Sequence, residues 1–301
     1  MQTGTRTERD SGGTAVRDAD AVPGSGVLAD LAVQALRDEA VLTPKPGLVD
    51  RRGSAAHDDM DVALLLRSAD SLRPTFAAIA RTARDREPSA ALQASLAEIG
   101  RAGEREMLDA TGGVNTHRGA IWTLGLLVGS AAMGPGTAGD WCRRAATLAG
   151  LHDCDPDAAS NGLRVKRRFG SAGARGEAED GFPHILRHGL PTLRRVRAQG
   201  GSETRARLDA LLAIIAELDD TCLLHRGGRA GLDAAKQGAR QVLSAGGAAS
   251  DAGFSVLVNF GAELVRRRLS PGGSADLLAG VLFLDALENL GEPSSDGKTH
   301  F

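Results

Sequence analysis

The sequence predicts an all-α fold in a single globular domain, and three observations predict it. Apolar residues recur at three- and four-residue steps instead of alternating. Aromatic content is only 3%, with no Tyr, and Ala, Leu, Arg and Glu, all good helix formers, fill the periodic stretches. With 301 residues, 42% of them hydrophobic, the chain can bury a sizeable core, and no strong linker divides it. Roughly ten helices are expected, over 27–42, 57–71, 74–84, 88–110, 116–133, 138–150, 183–198, 203–223, 229–245, 252–269 and 275–290, with no significant sheet. Pro44 and Pro46 stop the first. The stretch 116–133 is apolar almost all round, through Ile121, Trp122, Leu124, Leu126, Leu127 and Val128, so it is expected to be the buried central helix. Residues 1–26 are rich in Gly, Thr, Ser and Asp and read as a disordered tail, 27–291 as the helical domain, and 292–301 as a second flexible tail.

Thirty-six Lys and Arg against thirty-eight Asp and Glu give a formal charge of -2, which offers no general attraction for nucleic acid. Three scattered cysteines, Cys142, Cys154 and Cys222, fit neither a disulfide framework nor a zinc cluster and suit a reducing cytoplasm. No apolar run reaches membrane-spanning length, and the N-terminus lacks the apolar stretch of an export signal. The residues do not fix the oligomeric state; a homodimer is among the assemblies they allow.

Four connecting segments carry more glycine, charge and histidine than a turn needs: 44–50, 111–119, 174–179 and 219–228. In the second, Gly112 and Gly113 followed by Asn115 or Thr116 as N-cap lead into the buried helix, so free N–H groups and the positive dipole end make an anion site. A glycine turn capped by Asn is the plainer reading. In the fourth, Asp219 and Cys222 are expected to turn inward at the end of a helix, where a carboxylate opposes the dipole unless a metal or proton compensates it. A salt bridge from Asp219 or Asp220 to Arg226 or Arg229 is the alternative. Glu39 lies on the apolar stripe of the first helix, seven residues after Ala32, and so points inward beside a basic turn, or else frays into solvent. His57, Asp58, Asp59 and Asp61 crowd a helix start; capping explains most of them, while His57 with Asp59 could bind Mg²⁺ or a ribose. His184 and His188 share a helix face without the acid a zinc peptidase needs, and the loop from His152 to Asp155 has metal-binding atoms but no second cluster. Ser274 is the expected N-cap of the last helix, with Asp276 favoured by the dipole; capping is the leading reading and a site role for Asp276 the other. Neither a P-loop nor a Rossmann glycine motif is present, so any ATP site is of another kind.

The motifs P-K-P-G-L-V-D with A-H-D-D-M-D, T-G-G-V-N-T-H-R-G-A-I, G-A-R-G-E-A, D-D-T-C-L-L-H-R-G-G and S-P-G-G-S-A-D-L-L-A together resemble the triphosphoribosyl-dephospho-CoA synthase family, the malonate decarboxylase branch in particular. The resemblance runs from about residue 36 to 290 and departs from the family pattern at Cys222 and Arg118, where relatives often carry Asn and Lys. It implies that ATP loses adenine and gives its triphosphoribosyl group to the ribose 2′-hydroxyl of 3′-dephospho-CoA. The product then passes to a phosphoribosyl-dephospho-CoA transferase and an acyl carrier subunit. A glycosidic bond is broken, which calls for proton transfer and for charge near an oxocarbenium-like ribose, while the triphosphate calls for Mg²⁺ and basic groups.

On that footing Asp219, Asp220 and Glu39 are the catalytic candidates; Asp50, Asp219, Asp220, His57 and Asp59 the metal candidates; and Lys45, Gly112, Gly113, Asn115, His117, Arg118, Arg175, His225 and Arg226 the substrate-binding candidates. Asp219→Asn is expected to abolish adenine release with the fold intact. Competing readings are an N-glycosidase acting on a nucleotide or ADP-ribose, with water in place of the 2′-hydroxyl, and a non-catalytic nucleotide-binding assembly module.

Overall fold

The computed structural model describes residues 22–151 and 173–290. The loop from His152 to Asp155, most of the N-terminal tail and all of the C-terminal tail lie outside them. The elements are α1 (Ser25–Val41), α2 (Val62–Ser71), α3 (Arg73–Ala83), α4 (Ala90–Ala110), α5 (Arg118–Ala132), α6 (Ala138–Gly150), α7 (Gly173–Glu179), a π turn (Ile185–Gly189) running into α8 (Leu190–Ala198), α9 (Glu203–Glu217), α10 (Thr221–Ser244), α11 (Asp251–Arg266) and α12 (Gly272–Glu288). Among the described residues there is no strand, only an isolated bridge between Asp50 and Gly53. None of the described helices is long and apolar enough to cross a membrane.

The helix starts are written in side chains. Asp61 accepts from Leu64 N at 2.7 Å, Ser89 from Leu92 N at 3.2 Å and Ser250 from Gly253 N at 2.9 Å, each giving a partner to an N–H that the helix cannot satisfy itself. Thr137 and Asp140 form a reciprocal capping box at α6. As expected, α5 is central: it is buried on nearly every face and packs against α1, α3, α4, α6 and α12. Two further helices, α9 and α12, are buried almost as completely, and α12 touches α1, α5, α9 and α10. Most of the core is one apolar cluster threading these helices, with a small second cluster of Ala40, Val49 and Leu65 beside the turn after α1.

Three boundaries differ from expectation. The helix expected to run to 223 ends at Glu217, and a new one begins at Thr221, continuing across a kink at Gly228 (φ 59°). The helix expected from His57 starts at Val62, so His57 and Asp59 lie in the loop before it. The last helix begins at Gly272, which places Ser274 in its first turn instead of at its cap.

Candidate active site

The turn after α1 folds Lys45 back onto that helix. Lys45 Nζ donates to Glu39 Oε1 at 2.6 Å and to the Glu39 main-chain oxygen at 2.7 Å, with Lys45 1% and Glu39 6% exposed. Glu39 thus points inward, as its place on the stripe of Leu28, Ala32 and Leu36 requires, and the Lys45 cation closes the negative end of α1. Asp50 holds the turn itself. It accepts from Lys45 N at 2.8 Å, from Arg52 N at 2.8 Å and from the Arg52 guanidinium at 2.7 and 3.0 Å. Both its oxygens are committed to the chain's own donors, against the metal role expected of it.

Asp220 is 1% exposed and caps two helices. Its Oδ1 accepts from Cys222 N at 2.9 Å and Leu223 N at 3.4 Å at the start of α10; its Oδ2 accepts from Ser274 N at 2.8 Å and Ser274 Oγ at 2.9 Å in the first turn of α12. Burial raises its pKa against the pull of those hydrogen bonds. The dipole argument made from the sequence is therefore inverted: this acid sits at a helix N-terminus, where negative charge is welcome, because the chain breaks at 218–220. Asp219, expected inward and catalytic, has a side chain 52% exposed and bonds Lys236 Nζ at 2.5 Å, with Arg229 at 4.0 Å. The salt-bridge alternative describes it.

Asp276, for which the sequence left a site role open beside capping, completes the interior acids. It accepts from Ala120 N in the first turn of α5, and its Oδ2 lies so close to Gly119 that a Cβ there would be 2.0 Å away. Asp220 of α10 thus caps α12, and Asp276 of α12 caps α5, so three helix N-termini converge on two carboxylates. Burial, then the negative charges of Asp220 and Glu39, raises the Asp276 pKa well above the ordinary range. The first-turn acid was visible in the sequence, but its aim across α5 depends on how two distant helices cross.

His117 also lies inside, 4% exposed. Its Nδ1 is 2.7 Å from Ser68 Oγ, which is 2.6 Å from Thr116 Oγ1, while its Nε2 is buried with no hydrogen-bond partner. Burial and the nearby Lys45 charge lower its pKa to about 4. A ring held neutral at pH 7 would meet a ligand through a hydrogen bond and not as a cation. It is a donor or acceptor, set by its tautomer.

The anion cradle expected before α5 is used otherwise. Gly113 N donates to Leu108 O at 2.8 Å and Gly112 N reaches Asp109 O at 3.5 Å, a Schellman closure of α4 that needs the positive φ both residues adopt. Asn115 Oδ1 accepts from Arg118 N at 3.3 Å, a local cap. Arg118 pairs with Glu104 across α4, and Arg175 with Glu179 at 2.8 Å within α7. His225 is exposed.

Arg226 and His57 form a rim outside this interior. Arg226 Nη2 is 3.2 Å from His57 Nδ1, and His57 Nε2 is 3.0 Å from the buried Ser270 Oγ. Burial and the Arg226 charge lower the His57 pKa. Because Arg226 donates to Nδ1, the proton sits on Nε2, so His57 cannot serve as a base for Ser270. Asp59 is 3.8 Å from His57 and exposed. The five expected metal ligands therefore do not assemble, and no group of three or more His, Cys, Asp or Glu among the described residues could hold a metal ion.

A buried ion pair and an orphaned ring nitrogen each cost stability, which an apolar core would avoid, and they mark this interior of the helical fold as the candidate site. Comparison with known proteins gives the family. The model of the family described as ATP:dephospho-CoA triphosphoribosyl transferase matches residues 25–295. The 2-(5''-triphosphoribosyl)-3'-dephosphocoenzyme-A synthase of Klebsiella pneumoniae is 53% identical over 261 residues, 86% of this chain and 93% of that protein. Two proteins named "Probable 2-(5''-triphosphoribosyl)-3'-dephosphocoenzyme-A synthase" are each 55% identical. That of Stutzerimonas stutzeri (strain A1501) matches over 86% of this chain and 91% of its own, and that of Azotobacter vinelandii (strain DJ / ATCC BAA-1303) over 88% and 93%. No solved structure matches. The chain belongs to the ATP:dephospho-CoA triphosphoribosyl transferase family and is a transferase.

Proposed function

We propose that the protein transfers the 5-triphosphoribosyl group of ATP to the ribose 2′-hydroxyl of 3′-dephospho-CoA and releases adenine. Family membership supplies the substrates, and one structural observation supports a reaction in this interior: His117 presents a buried ring nitrogen without a partner beside the Glu39–Lys45 pair. A neutral imidazole there suits contact with a sugar hydroxyl or a purine nitrogen better than with a phosphate. The triphosphate has Arg226 at the rim, with Arg268 near enough to act on the same histidine. Mg²⁺ would enter with ATP and would supply charge neutralisation at the triphosphate.

The product's use as the precursor of a malonate decarboxylase prosthetic group, handed to a phosphoribosyl-dephospho-CoA transferase and an acyl carrier subunit in the cytoplasm, rests on the sequence motifs. Incubation with ATP, Mg²⁺ and dephospho-CoA tests the reaction itself. Adenine should appear in step with a dephospho-CoA adduct and fail to appear without dephospho-CoA. Adenine formed equally in its absence would make the protein a hydrolase, and none under either condition would leave a binding module.

A further inference from the structure

We infer that Asp276 is the proton donor to the departing adenine, a role that rests on the transfer proposed above and assigns its acid. The geometry singles it out among the interior carboxylates. Glu39 is bound to Lys45 through an ion pair, and Asp220 spends its oxygens on four donors. Asp276 accepts from Ala120 N and is partly accessible instead of sealed. Gly119 keeps that position clear, since any side chain there would strike Oδ2. His117, two residues before Gly119 in the chain, adds a buried Nε2 without a partner.

The charges that act on Asp276 are those of Glu39, whose partner is Lys45, and of Asp220 from α10; Cys222 of α10 feels the Asp276 charge in turn, and α5 offers the Ala120 N–H. Burial of the carboxyl, and then its two negative neighbours, favour keeping the proton on Asp276 past the pH at which an ordinary carboxyl loses it. A purine leaves readily only if a ring nitrogen is protonated as the electron pair of the C1′–N9 bond moves to N9. In the transfer that bond breaks and the C1′–O2′ bond forms. The Asp276 proton goes to adenine, and the proton lost by the 2′-hydroxyl replaces it through solvent. The net movement is one proton from hydroxyl to adenine, with no change of oxidation state.

Asp276→Asn keeps the oxygen that accepts from Ala120 and removes the acid. Its turnover with ATP, Mg²⁺ and dephospho-CoA should fall about 100- to 10,000-fold, with ATP binding and thermal midpoint near wild type. With 2-fluoro-ATP, whose base departs with less need of a proton, the loss should shrink at least tenfold. Asp276→Glu should recover part of the rate. In the wild type, kcat with ATP should fall on the alkaline side, as pH rises through the pKa of the acid, and this limb should flatten with 2-fluoro-ATP. Wild-type turnover in Asp276→Asn, an equal loss on both nucleotides, or a wild-type profile lacking that limb would overturn the assignment. Wild-type protein that releases no adenine when given dephospho-CoA would instead remove the transfer reading, and this role with it.

Discussion

Lys45→Met is expected to destabilise the fold by about 3–5 kcal/mol, because it leaves Glu39 charged and unpaired in the core. The two side chains are nearly sealed, and the ammonium also bonds the Glu39 main-chain carbonyl in the last turn of α1. Pairing the change with Glu39→Met should restore most of the stability, since a buried ion pair is roughly matched by apolar groups of similar volume. Denaturant midpoints of the single and double variants check this. The refolded double variant should still release no adenine, which separates a structural loss from a chemical one. A double variant with both stability and turnover would remove the pair from the site.

Asp220→Ala carries the second large effect, about 2–4 kcal/mol, from a lost N-cap on α10 and from buried Ser274 donors left without an acceptor. Its neighbour provides the contrast. Asp219→Asn should change stability by under about 1 kcal/mol, as an exposed ion pair does, and should leave turnover near wild type. Thermal melts and the adenine assay on the two variants test the reversal of roles. Loss of turnover in Asp219→Asn alone would restore the expectation drawn from the sequence.

The helical fold was legible because its signals are local. The span 138–150 is matched at both ends, since Thr137 and Asp140 announce the start and the apolar period stops with the helix. At 218–220 the apolar stripe of Leu211, Ile215 and Leu218 ran on toward Leu223, and periodicity concealed the break that Asp220 caps. Helix α7 was missed because seven residues rich in Gly and charge carry too little pattern. In the site, Glu39 could be placed from its helix face alone, whereas Asp276 and His117 could not. A first-turn acid and a first-turn histidine read the same whether they face water or core, and here α12 crossing α5, with Ser68 reaching over from α2, decides it. The glycines at 112 and 113 misled for a related reason. A pair that can free its N–H groups for an anion can equally close the preceding helix.

The central claim is that the nucleotide enters the interior shared by Glu39, Lys45, His117 and Asp276. Long-range ¹H–¹⁵N spectra of the imidazole rings test it most directly. Without ligand, His117 should remain neutral down to about pH 4, with Nδ1 held by Ser68. Saturation with MgATP and dephospho-CoA should move its Nε2 resonance by several ppm. A His117 signal unchanged at saturation, while exposed histidines such as His225 shift, would contradict the account.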